Sequence, residues 1–142
     1  RFKKVTAREY QNVEVPVCIV GASHSIGNRG YTKLCDIKIV QSINRTVYLY
    51  RTLEDEPMVC FGVTSSKQFI ERYGSYFARA GAGVLVSKAH IKSILLTGDK
   101  VVFPDRLSRL SIDLGDGDLV GIGNSKRGVE YVRMIVEHHL LG

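Results

Sequence analysis

Apolar and polar positions alternate with a period of two along much of the chain from residue 13 onward, which predicts a succession of short strands. Val13-Glu14-Val15-Pro16-Val17-Cys18-Ile19-Val20 alternates and then turns fully apolar, as a strand entering a core does. Pro16 lacks an amide hydrogen, so the early part of that strand is expected at an edge. Gly21 to Gly30 reads as a loop by composition. Leu34 to Gln41 and Thr46 to Leu53 are rich in Ile, Val, Tyr and Thr and predict two strands, with Ser42-Ile43-Asn44-Arg45 as the turn between them. An acidic turn, Glu54-Asp55-Glu56-Pro57, leads into a further apolar segment over Met58 to Val63.

The period then changes. Ser65 as N-cap and Gln68 three residues on form a capping box, and Phe69, Ile70 and Tyr73 supply the apolar face of a two-turn helix that Gly74 ends. Beyond it Tyr76-Phe77-Ala78-Arg79 enters a loop stripped to Gly and Ala (Ala80 to Gly83), followed by a strand over Val84 to Val86 and another from Ile91. Residues without side-chain bulk allow another part of the backbone to come close. Further strand-like segments follow at Lys100 to Phe103 and Leu107 to Leu114. Val129, Val132, Ile135, Val136 and Leu140 fall at helical spacing, with Asn124 or Ser125 placed to cap a C-terminal helix.

The expected fold is therefore mainly β, with several small packed antiparallel sheets, a short central helix and a C-terminal helix. Residues 1–12 read as a basic linker or arm and residues 13–142 as one domain. The chain opens on Arg1, which fits a fragment or a processed chain. No apolar run approaches the length of a bilayer span, so a cytoplasmic location and no membrane partner are expected.

Charge is distributed unevenly. Residues 1 to 51 hold nine Lys/Arg against three Asp/Glu, net +6, and residues 52 to 142 are balanced. A polyanion would be drawn to the first third. Cys18, Cys35 and Cys60 are odd in number and lie in apolar contexts, so they read as reduced core cysteines rather than disulfide partners or zinc ligands.

Candidate chemistry is sparse. His24, His90, His138 and His139 have no partners by spacing, and His24 between two serines cannot face both, so no enzyme and no cofactor are expected. Asp113, Asp116 and Asp118 around Gly115 and Gly117 lack the ligand order of a calcium loop and read as a solvated turn. Lys126 and Arg127 fall in the first turn of the C-terminal helix, where the dipole disfavours cations, which points to an anionic partner outside.

Four segments, in order, resemble the LytTR-type DNA-binding domains that serve as output modules of bacterial response regulators in two-component systems. Asp36-Ile37-Lys38-Ile39-Val40-Gln41-Ser42 with Asn44-Arg45 resembles the family's opening segment. The helix to Tyr73 with Tyr76-Phe77-Ala78-Arg79 is similar to its central one. Leu85-Val86-Ser87 through Ile91 and Ile94 resembles its "L-V-N-x-x-x-I-x-x-I", and Ser125-Lys126-Arg127 its closing motif.

The resemblance implies a transcription-regulating domain that sends loops into successive major grooves of double-stranded DNA at direct repeats. It also implies a receiver domain N-terminal to the fragment and a homodimer on those repeats. Carried over by position, Asn44, Arg45, Arg79 and Arg127 are the DNA-binding candidates, with Lys88 and Lys126 added on charge for phosphate contacts. Two positions depart from the pattern: Gly81 and Ala82 stand where the family places base-reading residues. A structural ion pair, with Glu71 as partner, is the alternative for Arg79. A β-rich protein-interaction module without DNA readout is the alternative for the whole domain.

Overall fold

The computed structural model describes residues 10–19, 29–73, 76–104 and 108–123. The chain divides into two compact units, Arg1–Ser75 and Tyr76–Gly142.

In the first unit the predicted alternation becomes antiparallel strands: β1 (Glu14–Ile19), β2 (Arg29–Lys33), β3 (Ile39–Ile43), β4 (Thr46–Tyr50) and β5 (Met58–Cys60). Their spatial order is β2-β1-β5-β4-β3. Val15, Val17, Val40, Val47 and Leu49 occupy alternate positions and are fully buried on one face, which is the period-two pattern read from the chain.

Several readings are corrected here. Arg29 and Gly30, assigned to a loop by composition, begin strand β2. The segment from Leu34 is not extended at its start: Leu34–Asp36 makes a 3-10 turn in which the Ile37 amide donates back to the Leu34 carbonyl at 3.2 Å, and the strand begins only at Ile39. β1 lies between β2 and β5 rather than at an edge, and Pro16 is tolerated just past the end of the β5 ladder, where its carbonyl accepts the Phe61 amide at 3.0 Å and the amide hydrogen it lacks is not used. Tyr10, placed in the basic arm by its neighbours, is buried.

The helix α1 (Ser66–Tyr73) packs on β3 with Phe69 fully buried and its ring 4.9 Å from that of Tyr73. The Ser65 hydroxyl accepts the Gln68 amide at 3.1 Å, as the capping box predicts. The reciprocal arm differs: Gln68 Oε1 accepts from the Thr64 amide at 2.8 Å, one residue before the cap.

The second unit contains an antiparallel hairpin, β6 (Phe77–Gly81) with β7 (Val84–Ser87), and an antiparallel sheet of order β10-β9-β8. The sheet strands are β8 (Ser93–Leu96), β9 (Leu110–Asp113) and β10 (Leu119–Gly121). Ile112, Leu114, Val120 and Ile122 fill its core. The strand expected over Lys100 to Phe103 is reduced to one parallel bridge, Phe103 with Val120.

The aspartate-rich turn is only partly solvated, since Asp118 is buried while Asp116 is exposed. The Asp113 carboxylate accepts the Gly115 amide at 2.9 Å and so helps to form the turn. The predicted C-terminal helix lies outside the described residues. Among the described residues no helix is long and apolar enough to cross a membrane.

Candidate nucleic-acid interface

The β3–β4 hairpin carries the first pair of sequence-predicted contacts. Ile43 pairs with Thr46, leaving Asn44 and Arg45 as a two-residue loop. Tight loops of this length match the right-handed twist of their strands in type I′ or II′ turns, and the I′ form takes positive φ at both central residues. Asn44 has φ 47° and Arg45 φ 66°. Asn tolerates that region through local hydrogen bonding, whereas Arg has no such compensation and carries a cost of about 1–2 kcal/mol. Both side chains are exposed. The hairpin thus presents an amide and a guanidinium at its tip, the two side chains suited to bidentate pairing with adenine and guanine edges.

In the second unit Arg79 lies within the ladder, opposite Leu85, and not in the hairpin loop. Phe77, Leu85 and Ser87 share its face of the hairpin by register and are buried, and Arg79 itself is half-buried. It has a partner within the fold and is not a freely projecting cation. The pairing shifts register between Arg79 and Gly81, so Ala80 is a bulge residue that re-aims the hairpin end.

The Gly/Ala loop does admit a close backbone neighbour, as its composition predicts. That neighbour is the segment at Gly123, whose amide donates to the Ala80 carbonyl at 3.0 Å. A Cβ on Gly81 would lie 3.9 Å from the Gly123 nitrogen, an ordinary contact, so the neighbour is close without demanding glycine.

Lys88 opens the 3-10 turn Lys88–His90 directly after β7, with its amide donating to the Tyr76 carbonyl at 2.8 Å. The backbone there is pinned while the half-buried side chain emerges at the turn. His90 has a partner that its sequence spacing did not show: its Nδ1 lies 2.9 Å from the Ser87 hydroxyl, across the same turn, and Ser87 is buried. Lys126 and Arg127 lie outside the described residues. The units separate the candidates, with Asn44 and Arg45 on the first and Arg79 and Lys88 on the second.

Other chemistry is muted. Among the described residues no group of His, Cys, Asp and Glu is placed to hold a metal ion. Cys60 is buried and burial pushes its thiol up to about 12, while the half-buried Cys18 and Cys35 are also free thiols. Of the three cysteines read as core residues, only Cys60 is fully within the core.

Sequence reasoning missed one arrangement. The guanidinium of Arg29 sits over the ring of Phe61, 4.9 Å from its centroid. The glycine-rich composition before Gly30 hid the strand that brings Arg29 there.

Comparison of the chain with protein-family models, curated proteins and solved structures found no match.

Proposed function

We propose that this chain is a sequence-specific DNA-binding output domain of a transcriptional regulator, working in the cytoplasm and built on the LytTR pattern that its four ordered segments resemble. The observation that carries the reading is the β3–β4 tip. An arginine held at φ 66° on an exposed two-residue turn is a costly choice where glycine would serve. Contact with an anionic partner accounts for it. The +6 net charge of residues 1 to 51, which include this hairpin, supplies the attraction.

The mechanism follows from the chemistry of the parts. Lys and Arg on projecting turns displace counterions from phosphates, and Asn44 and Arg45 read base edges in a major groove. Lys88, Lys126 and Arg127 extend the contact to successive grooves at direct repeats. Arg79, held in the β6 ladder, acts by positioning the hairpin end.

Selection of the chain on a random duplex library, followed by fluorescence anisotropy at several salt concentrations, tests the reading. Enrichment of a repeated motif is expected, with Arg45→Ala and Arg127→Ala each relaxing the preference and lowering the salt slope by about one. No enrichment, with mutants binding like the parent, would overturn it.

The second reading, a protein-interaction module, is favoured by Leu96 at 75% exposure and Val101 at 69% in the second unit. A partner captured with salt-insensitive affinity and lost in Leu96→Ser would support that module instead.

A further inference from the structure

The pairing around β1 determines which side chains share the outer face of the first unit's sheet. Val15 and Val17 point into the core, so Pro16 and Cys18 stand on the opposite side. Tyr31 lies directly across from Pro16, and Arg29 across from Cys18. On the other flank Val59 is opposite Cys18, and the Phe61 amide donates to the Pro16 carbonyl at 3.0 Å. Tyr31, Pro16 and Phe61 form one row across the sheet, and Arg29, Cys18 and Val59 form the next, which Tyr48 continues on β4. Tyr31 and Phe61 are separated by two strand spacings, about 10 Å.

Arg29 reaches diagonally across β1 to place its guanidinium over Phe61. The turn that follows Phe61 is specific. Gly62 has φ +81°, and a Cβ there would lie 2.8 Å from Nη1 of Arg72, which itself donates to the Gly62 carbonyl at 3.5 Å. Phe61 is thus followed at the strand end by a turn whose positive φ favours glycine. The outer face presents Tyr31 at 72% exposure and Phe61 at 36%.

We infer that this face is a stacking platform for single-stranded nucleic acid. A partner here must offer flat apolar faces to Tyr31 and Phe61 and negative charge to Arg29 and Lys33, the two cations of β2. An unpaired nucleotide meets both demands, by stacking its base and pairing its phosphate. A duplex keeps its base faces within the helix, so it meets only the second. The acid on this face, Glu14, is already opposite Lys33, and Arg29 remains beside the rings. Charge separates the nucleic acid from a generic apolar partner, because the β2 side of the platform carries two cations, Arg29 with its guanidinium at the Phe61 ring and Lys33. This surface is distinct from the β3–β4 tip, and neither proposal requires the other.

The test uses the full chain with fluorescein-labelled oligothymidylate, alone and annealed to its complement, followed by anisotropy. Tyr31→Ala is expected to weaken single-strand binding about tenfold, within the range measured for loss of one base–aromatic stack. Phe61→Ala weakens it less, Tyr31→Phe preserves it, and duplex affinity is unchanged in all three. Tyr31 is exposed, so its replacement leaves the core intact, which circular dichroism checks. Absence of single-strand binding by the parent chain would overturn the proposal, as would unchanged binding by Tyr31→Ala. Self-association in sedimentation velocity that disappears in Tyr31→Ala would assign the face to a second copy of the chain and would overturn it equally.

Discussion

The Gly123 amide donates to the Ala80 carbonyl at 3.0 Å and ties the segment after β10 to the bulge of the β6–β7 hairpin. The two backbones meet where neither Gly81 nor Gly123 carries a side chain. A Cβ on Gly123 would lie 3.8 Å from the Gly81 Cα, and one on Gly81 would lie 3.9 Å from the Gly123 nitrogen. A methyl fits there. The close neighbour of the hairpin end is therefore a segment of its own unit.

Gly121, two residues earlier, is under a harder constraint. A Cβ there would stand 2.6 Å from the Ser108 Cβ, closer than packed atoms allow, and 3.3 Å from a Val102 methyl, a tight contact. Gly121→Ala should destabilise the protein by about 1–3 kcal/mol, as overpacked substitutions do. Gly123→Ala should change stability by less than about 0.5 kcal/mol. Urea denaturation of the two variants side by side checks the contrast, and equal losses would count against the packing account.

The β3–β4 tip predicts opposite effects on folding and binding. Arg45→Gly removes the left-handed cost at φ 66° but gives the unfolded chain more freedom, so stability should hold or rise by up to about 1 kcal/mol. Duplex affinity should fall, with a salt slope lower by about one. Denaturant melts and anisotropy on the same preparation measure both. A loss of stability with unchanged binding would mean the turn serves the fold alone.

Cys60 gives a pH dependence of definite sign. Its thiol ordinarily titrates near 9.0, and burial raises it to about 12 in the folded protein, with Arg72 opposing weakly. Between those values the unfolded chain loses a proton that the folded one keeps, so stability falls as pH rises. The contribution is fully present below pH 9 and approaches at most about 1.4 kcal/mol lost per pH unit above it. The Tyr50 and Tyr73 hydroxyls, raised first by burial, add to the loss above their ordinary value of 10.0. Urea melts from pH 7 to 10 should show a decline that is shallower in Cys60→Ala, and native Cys60 should resist iodoacetamide at pH 8.

Local pattern was enough for the class of structure. Alternation places Val15, Val17, Val47 and Leu49 in a core, and Ser65 with Gln68 announces α1, because both signals depend on residues only a few positions apart. The place of the β3–β4 turn is legible for the same reason, but its length is not: Ser42 and Ile43, read as turn residues, are paired at the end of β3, which leaves Asn44 and Arg45 as the loop. The sequence by itself therefore determined a mainly β chain with a short helix, and it named the exposed tip that the proposed DNA contact uses.

Tertiary structure alone decided the rest. Arg79 looks like a projecting cation in sequence, yet its strand register sets it beside Leu85 on a covered face. Arg29 and Phe61 are far apart along the chain, and only the pairing of β2 and β5 on either side of β1 brings a guanidinium over a ring. Asp118 shares its composition with the exposed Asp116 but is buried. In each case the outcome depends on which distant strand lies alongside, and strand pairing is a long-range choice that no local window of sequence contains.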